Sequence, residues 1–131
     1  MPLTVINGPI IPAGEAMSDA VDCSNGEIVR ITMPAEWTPA SLGIEISSDG
    51  MFFNPLANYL GQEIVINVLP GSAVAVPLDW SRAIAFMRVR SGTRDRPVPQ
   101  EKQRDFAVAV KKGADITQQP ALSNYENDPR R

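Results

Sequence analysis

The chain has 131 residues, a hydrophobic fraction of 44%, a formal net charge of −3, one cysteine and no histidine. That length suits one domain around one core, and the apolar content is too high for a disordered chain. The missing histidines exclude Ser-His-Asp and Cys-His catalysis and imidazole metal ligands. The single cysteine excludes an intrachain disulfide and a thiolate-rich metal site.

The N-terminal MPLTVINGPIIPAGEA lacks a basic region followed by a long apolar core, so it reads as an extended segment and not as a secretory signal. No apolar run approaches the roughly 20 residues of a membrane span. The sequence thus predicts a protein made in a cytoplasm, with no membrane partner. Asn25-Gly26 then turns the chain into EIVRITM, where Val29, Ile31 and Met33 share one face and Arg30 and Thr32 the other. MPAEWTPASL, residues 33–42, is a proline-bounded connection with room for one helical turn. In LGIEISS, Leu42, Ile44 and Ile46 point one way, and Glu45 and Ser47 the other. Asp49-Gly50 favours the positive φ of a tight hairpin turn. In EIVINV, the inner set is Ile64, Ile66 and Val68, and Pro70-Gly71 separates that run from AVAV.

AIAFMRVR reads as a central strand. Ala85, Met87 and Val89 form one apolar face; Ile84 and Phe86 begin the other, which ends in Arg88 and Arg90. The pattern predicts a strand covered at its start and wet at its end. In DFAVAV, Phe106, Val108 and Val110 face inward. Short alternating runs between turn residues, with no sustained helical period, predict an all-β fold. The expected architecture is an antiparallel β-sandwich or jelly-roll-like single domain over residues 1–111. An irregular polar C-terminal tail over 112–131 follows it.

Chemistry-bearing residues are sparse. Asp19, Asp22, Asp49 and Asp79 lie near turns, where carboxylates ordinarily accept backbone N–H bonds. Asp19 and Asp22 alone do not make a calcium loop, and no glycine-rich phosphate loop is present. Cys23 reads as a small buried hydrophobe. Trp37, Tyr59, Trp80 and Tyr125 are scattered and read as core or rim packing before a sugar platform. Neither an enzyme nor a cofactor is expected.

Charge is unevenly spread. Residues 1–81 hold nine acids and one base, Arg30; residues 82–131 hold eleven bases and six acids. These halves either neutralise one another inside the fold or meet between neighbouring copies. The basic residues cluster in RVRSGTRDRPVPQEKQRDF, residues 88–106. Interleaved Asp95, Glu101 and Asp105, with no aromatic between the arginines, argue against nucleic acid. Pro97 and Pro99 stiffen the segment, which lowers the entropy lost on docking. It reads either as a solvated connection or as a protein contact.

Two segments together carry a resemblance: MPAEWTPASLGIEISSDGMFFNPL and AIAFMRVRSGTRDRPVPQEKQRDFAVAV, with R-S-G-T followed by P-V-x-Q. They resemble small β-sandwich proteins encoded among the head and structural genes of tailed bacteriophages, over most of residues 15–110. The resemblance implies a virion structural protein, foremost a capsid decoration or cement protein. Such a protein binds in many copies to the major capsid protein lattice on the capsid exterior and self-associates, for instance as a trimer. It implies no catalytic residues. The candidate contacts are Asn7, Pro9 and Ile10 in the N-terminal segment, and Arg94, Asp95, Arg96, Pro97, Val98, Pro99 and Gln100 in the loop. A head-tail connector, tail or fibre component, or a carbohydrate-binding β-sandwich, are the alternatives.

Overall fold

Nine strands and one short helix follow the apolar–polar alternation of residues 3–112, the part of the chain described by the structure, a computed structural model. The strands are β1 (Leu3–Ile11), β2 (Val21–Asp22), β3 (Gly26–Thr32), β4 (Leu42–Ser47), β5 (Asn54–Pro55), β6 (Val65–Ile66), β7 (Ala73–Ala75), β8 (Phe86–Ser91) and β9 (Arg104–Lys112). The helix, α1 (Leu78–Ser81), joins β7 to β8. The tail expected from residue 112 onward lies outside the described residues, apart from Lys112 itself, which closes β9.

One sheet has the order β1-β9-β3-β7 and the other β2-β8-β4-β5, and every ladder is antiparallel. β5 and β6 share one edge of β4: β5 lies opposite Glu45 and Ile46, β6 opposite Leu42 and Gly43. Taken as one interrupted strand, they complete a nested set of rungs: β1 with β9, β2 with β8, β3 with β7, and β4 with β5/β6. The chain is therefore one long hairpin, folded at the β4–β5 turn and rolled so that successive rungs alternate between sheets. β3·β9 and β4·β8 stitch those rungs into two sheets. This is a jelly roll, an all-β sandwich as the turn spacing predicted.

The core lies between the sheets and holds Ile11, Ile28, Ile31, Leu42, Ile44, Met87, Val89, Phe106 and Val108. Trp37 stands edge-on to Phe106, with ring centroids 5.7 Å apart. Ile64, Ile66 and Val68 pack against this core as expected, although only two residues of that run are strand.

Three local expectations are corrected. In β3 the inward residue is Ile28, not Val29. The pairing register slips between Ile28 and Arg30, leaving Val29 as the extra residue of a β-bulge, and one inserted residue reverses the facing of everything before it. The Asp49-Gly50 turn is not a two-residue hairpin, because Ile46 pairs with Asn54 and the loop between β4 and β5 runs over 48–53. Gly50 does take the positive φ expected of it, +79°. Finally, residues 33–42 hold no helix; the one helical turn is α1.

Candidate interaction surface

The central strand β8 is most buried where the sequence suggested it is wettest. Arg90 is only 3% exposed. Its Nη1 donates to Glu45 Oε2 at 2.5 Å, and its Nη2 to Glu63 Oε2. The other Glu45 oxygen accepts from Arg88 at 2.9 and 3.2 Å, and the Arg88 guanidinium also lies 4.5 Å from the centroid of the Phe53 ring. Gly43, opposite Arg90 in the ladder, leaves the space this needs: a Cβ there would lie 2.7 Å from Arg90 Nη2. Two arginines and two glutamates thus balance in charge beneath the β6 edge. Removing one partner would strand the others, at a cost of about 3–5 kcal/mol for a buried pair. Among the described residues Arg90 Nε has no hydrogen-bond partner.

This network braces the loop that follows. Glu63 also accepts the backbone N–H of Arg94 at 3.1 Å. Thr93 and Arg96 exchange backbone hydrogen bonds at 3.2 Å each, and Val98 N–H returns to the Ser91 carbonyl at 2.8 Å. Arg94, Asp95, Arg96, Pro97 and Pro99 are exposed around this tight turn, and Val98 is half-buried. The segment is therefore a braced turn, not an extended arm.

Gln100 is a different case and is corrected as a candidate contact. It is fully buried, with every hydrogen-bonding position of its amide used. Its Nε2 donates to the Thr38 carbonyl and Ser91 Oγ at 3.0 and 2.7 Å. Its Oε1 accepts from Thr38 N–H and Arg104 Nε, each at 2.9 Å. Its backbone also bonds Gly14 and Glu15. Gln100 is an internal joint, because a side-chain amide is the one group here able to serve a loop, a strand and a buried guanidinium at once.

The N-terminal candidates also divide. Asn7 is exposed, Ile10 half-buried and Pro9 buried, so Pro9 offers no surface to a partner. They lie in β1 at a break in register between Asn7 and Ile10, and Asp19 Oδ1 caps the Ile10 N–H at 2.8 Å. The segment expected to be extended is the edge strand of the first sheet. Leu3 and Val5 remain exposed on it.

Burial, reinforced by the nearby Asp22 carboxylate, pushes the Cys23 thiol up to about 11. The Ser24 hydroxyl and backbone N–H hold Asp22 below the usual carboxylate range, and the Met51 and Phe52 N–H groups do the same for Asp49. Among the described residues no group of three His, Cys, Asp or Glu side chains could hold a metal ion, and no helix is long and apolar enough to cross a membrane.

No protein-family model, curated protein or solved structure matches this chain.

Its most unusual feature escaped the sequence reading. Met51, Phe52, Tyr59, Leu60, Leu69 and Leu78 are all more than half exposed. All six come from residues 51–78: the β4–β5 turn, the side hairpin closed by the Ala57–Glu63 bridge, and the connections around β7. The signal was available, since MFF follows Asp-Gly and YL follows Asn58, apolar residues at turn tips where polar ones are usual.

Proposed function

We propose that this chain is a structural protein of a tailed-phage virion, a decoration protein that binds the outside of the major capsid protein lattice. The observation that carries the reading is the concentration of exposed apolar side chains at 51–78 on a small jelly roll. Large apolar side chains left exposed in such number along one stretch of chain are what contacts with other proteins use. They are mounted on turns held by side-chain hydrogen bonds and by the buried Glu45–Arg90–Glu63 network, so docking orders little that is not already ordered. The braced turn at Arg94–Arg96, stabilised by the same Glu63, is the polar neighbour that such a contact needs at its rim. The resemblance over most of residues 15–110 to proteins encoded among phage head and structural genes points to the partner. In a repeated lattice, many such contacts, each weak, add to the stability of the shell.

The test is to purify capsids lacking this protein, add it back and image the particles. Occupancy that follows the capsid lattice is expected. Copies confined to a single vertex or to the tail would instead favour the connector, tail or fibre reading. Absence of binding would remove the proposal.

A further inference from the structure

Tyr59 and Trp80, far apart in sequence, line one cleft of about 340 Å³. Leu56, Ile64 and Ala83 also line it, and Asn58 and Asp79 stand at it. We propose that this cleft is a binding site for a neutral saccharide. The proposal does not depend on the capsid reading.

The two tryptophans differ in a telling way. Trp37 is a core residue whose indole N–H donates to the Ala40 carbonyl at 3.0 Å. Trp80 is half-buried, and among the described residues its N–H has no protein acceptor, although it is not a sealed-off group. Tyr59 is 96% exposed, an aromatic ring with almost no packing of its own. The backbone that carries it is nevertheless held. Asn58 Oδ1 accepts the N–H groups of Leu60 and Gln62 at 2.9 and 3.0 Å, and Gly61 N–H bonds the Asn58 carbonyl at 2.9 Å. A turn fastened this way needs no backbone ordering on binding, so the cost is confined to the rotamer of the ring itself.

The chemistry of the lining selects the ligand class. Asp79 pairs with no cation among the described residues and is free to accept hydroxyl donors. No lysine or arginine lines the cleft, so a phosphate or carboxylate ligand would meet only the repulsion of Asp79. Aromatic and aliphatic walls with a carboxylate acceptor and an indole donor suit a neutral ring with one apolar face and a rim of hydroxyls. The volume lies at the small end of the roughly 300–1,000 Å³ typical of small-molecule sites, which favours one sugar unit over a long chain.

The test uses the full chain, isotopically labelled, titrated with the methyl glycosides of glucose, galactose, mannose and N-acetylglucosamine while amide resonances are followed. At least one glycoside is expected to shift resonances of residues 56–64 and 79–83 saturably. Tyr59→Ala, at a site with nothing to unpack, and Asp79→Asn are each expected to weaken that binding about tenfold while leaving the melting temperature unchanged. Choline is titrated in parallel, because aromatic rings beside a carboxylate can also hold a quaternary ammonium. Binding of choline in place of every glycoside, shifts that never localise to the cleft, or sugar binding unaffected by both substitutions would each overturn the proposal.

Discussion

At the scale of single residues, the acids behave as turn-builders. Asp49 Oδ1 accepts from Met51 N–H at 2.8 Å, Phe52 N–H at 3.1 Å and Ser47 Oγ at 2.9 Å, and so shapes the loop that exposes Met51 and Phe52. These bonds favour the ionised form, so its pKa in the folded chain lies below that of the unfolded chain. Its stabilising contribution is present above the unfolded value, near 4, and is lost as pH falls through the lower folded value. Asp49→Asn is therefore expected to lower the melting temperature at neutral pH and to matter less as acidification proceeds to about pH 3. Thermal melts of both proteins across that range check this; a gap that widens toward acid would contradict it. The nature of this turn was legible in the Asp-Gly pair. Its length was not, because the register of β5 on β4 is set by which side chains reach the core.

At the scale of elements, the connection from β8 to β9 shows how far a sequence reading of a loop can go. Arginines, acids and prolines correctly marked it as a surface segment from Arg94 to Pro99. Nothing local marked Gln100 as buried, since glutamine is ordinarily a surface residue and its partners Thr38, Ser91 and Arg104 come from three other parts of the chain. Gln100→Leu keeps the approximate size and removes every side-chain bond, leaving the Thr38 backbone groups and Arg104 Nε without those partners. A loss of about 2–4 kcal/mol is expected in urea unfolding. A loss below about 1 kcal/mol would mean that the backbone bonds of Gly14 and Glu15 hold the joint alone. The same limit explains Arg88 and Arg90. Alternation correctly put them on the face opposite Met87 and Val89, but what covers that face is the Glu45–Glu63 side of β4 and β6.

At the scale of the whole molecule, topology explains the uneven charge. A nested hairpin lays the first half of the chain on the second, so β4 meets β8 and β3 meets β9. Every ion pair among the described residues joins an acid from residues 1–81 to an arginine from 82–131: Glu27 with Arg82, Glu36 with Arg104, Glu45 with Arg88 and Arg90, and Glu63 with Arg90. Within the described residues, then, much of the imbalance is resolved inside the fold. The exposed apolar side chains at 51–78 have no such internal answer. The double variant Phe52→Ser, Leu60→Ser is expected to change stability by no more than about 0.5 kcal/mol, as surface substitutions do, and, on the proposed decoration role, to reduce binding to undecorated capsids sharply. Unfolding by denaturant and a capsid co-sedimentation assay separate the two effects. Unchanged sedimentation would show that the contact lies elsewhere.

The sequence alone determined the fold class, the inward residues of β4, β8 and β9 and the exposed part of the loop after β8. Those depend on period-two alternation and turn chemistry, which are local. Tertiary structure decided the rolled order of the strands, the slip at Val29, the burial of Arg90 and Gln100, and the placing of Tyr59 and Trp80 on one cleft. Each of these depends on which distant segment lies alongside. That is settled by how two sheets close over a shared core, and the spacing of residues along the chain does not record it.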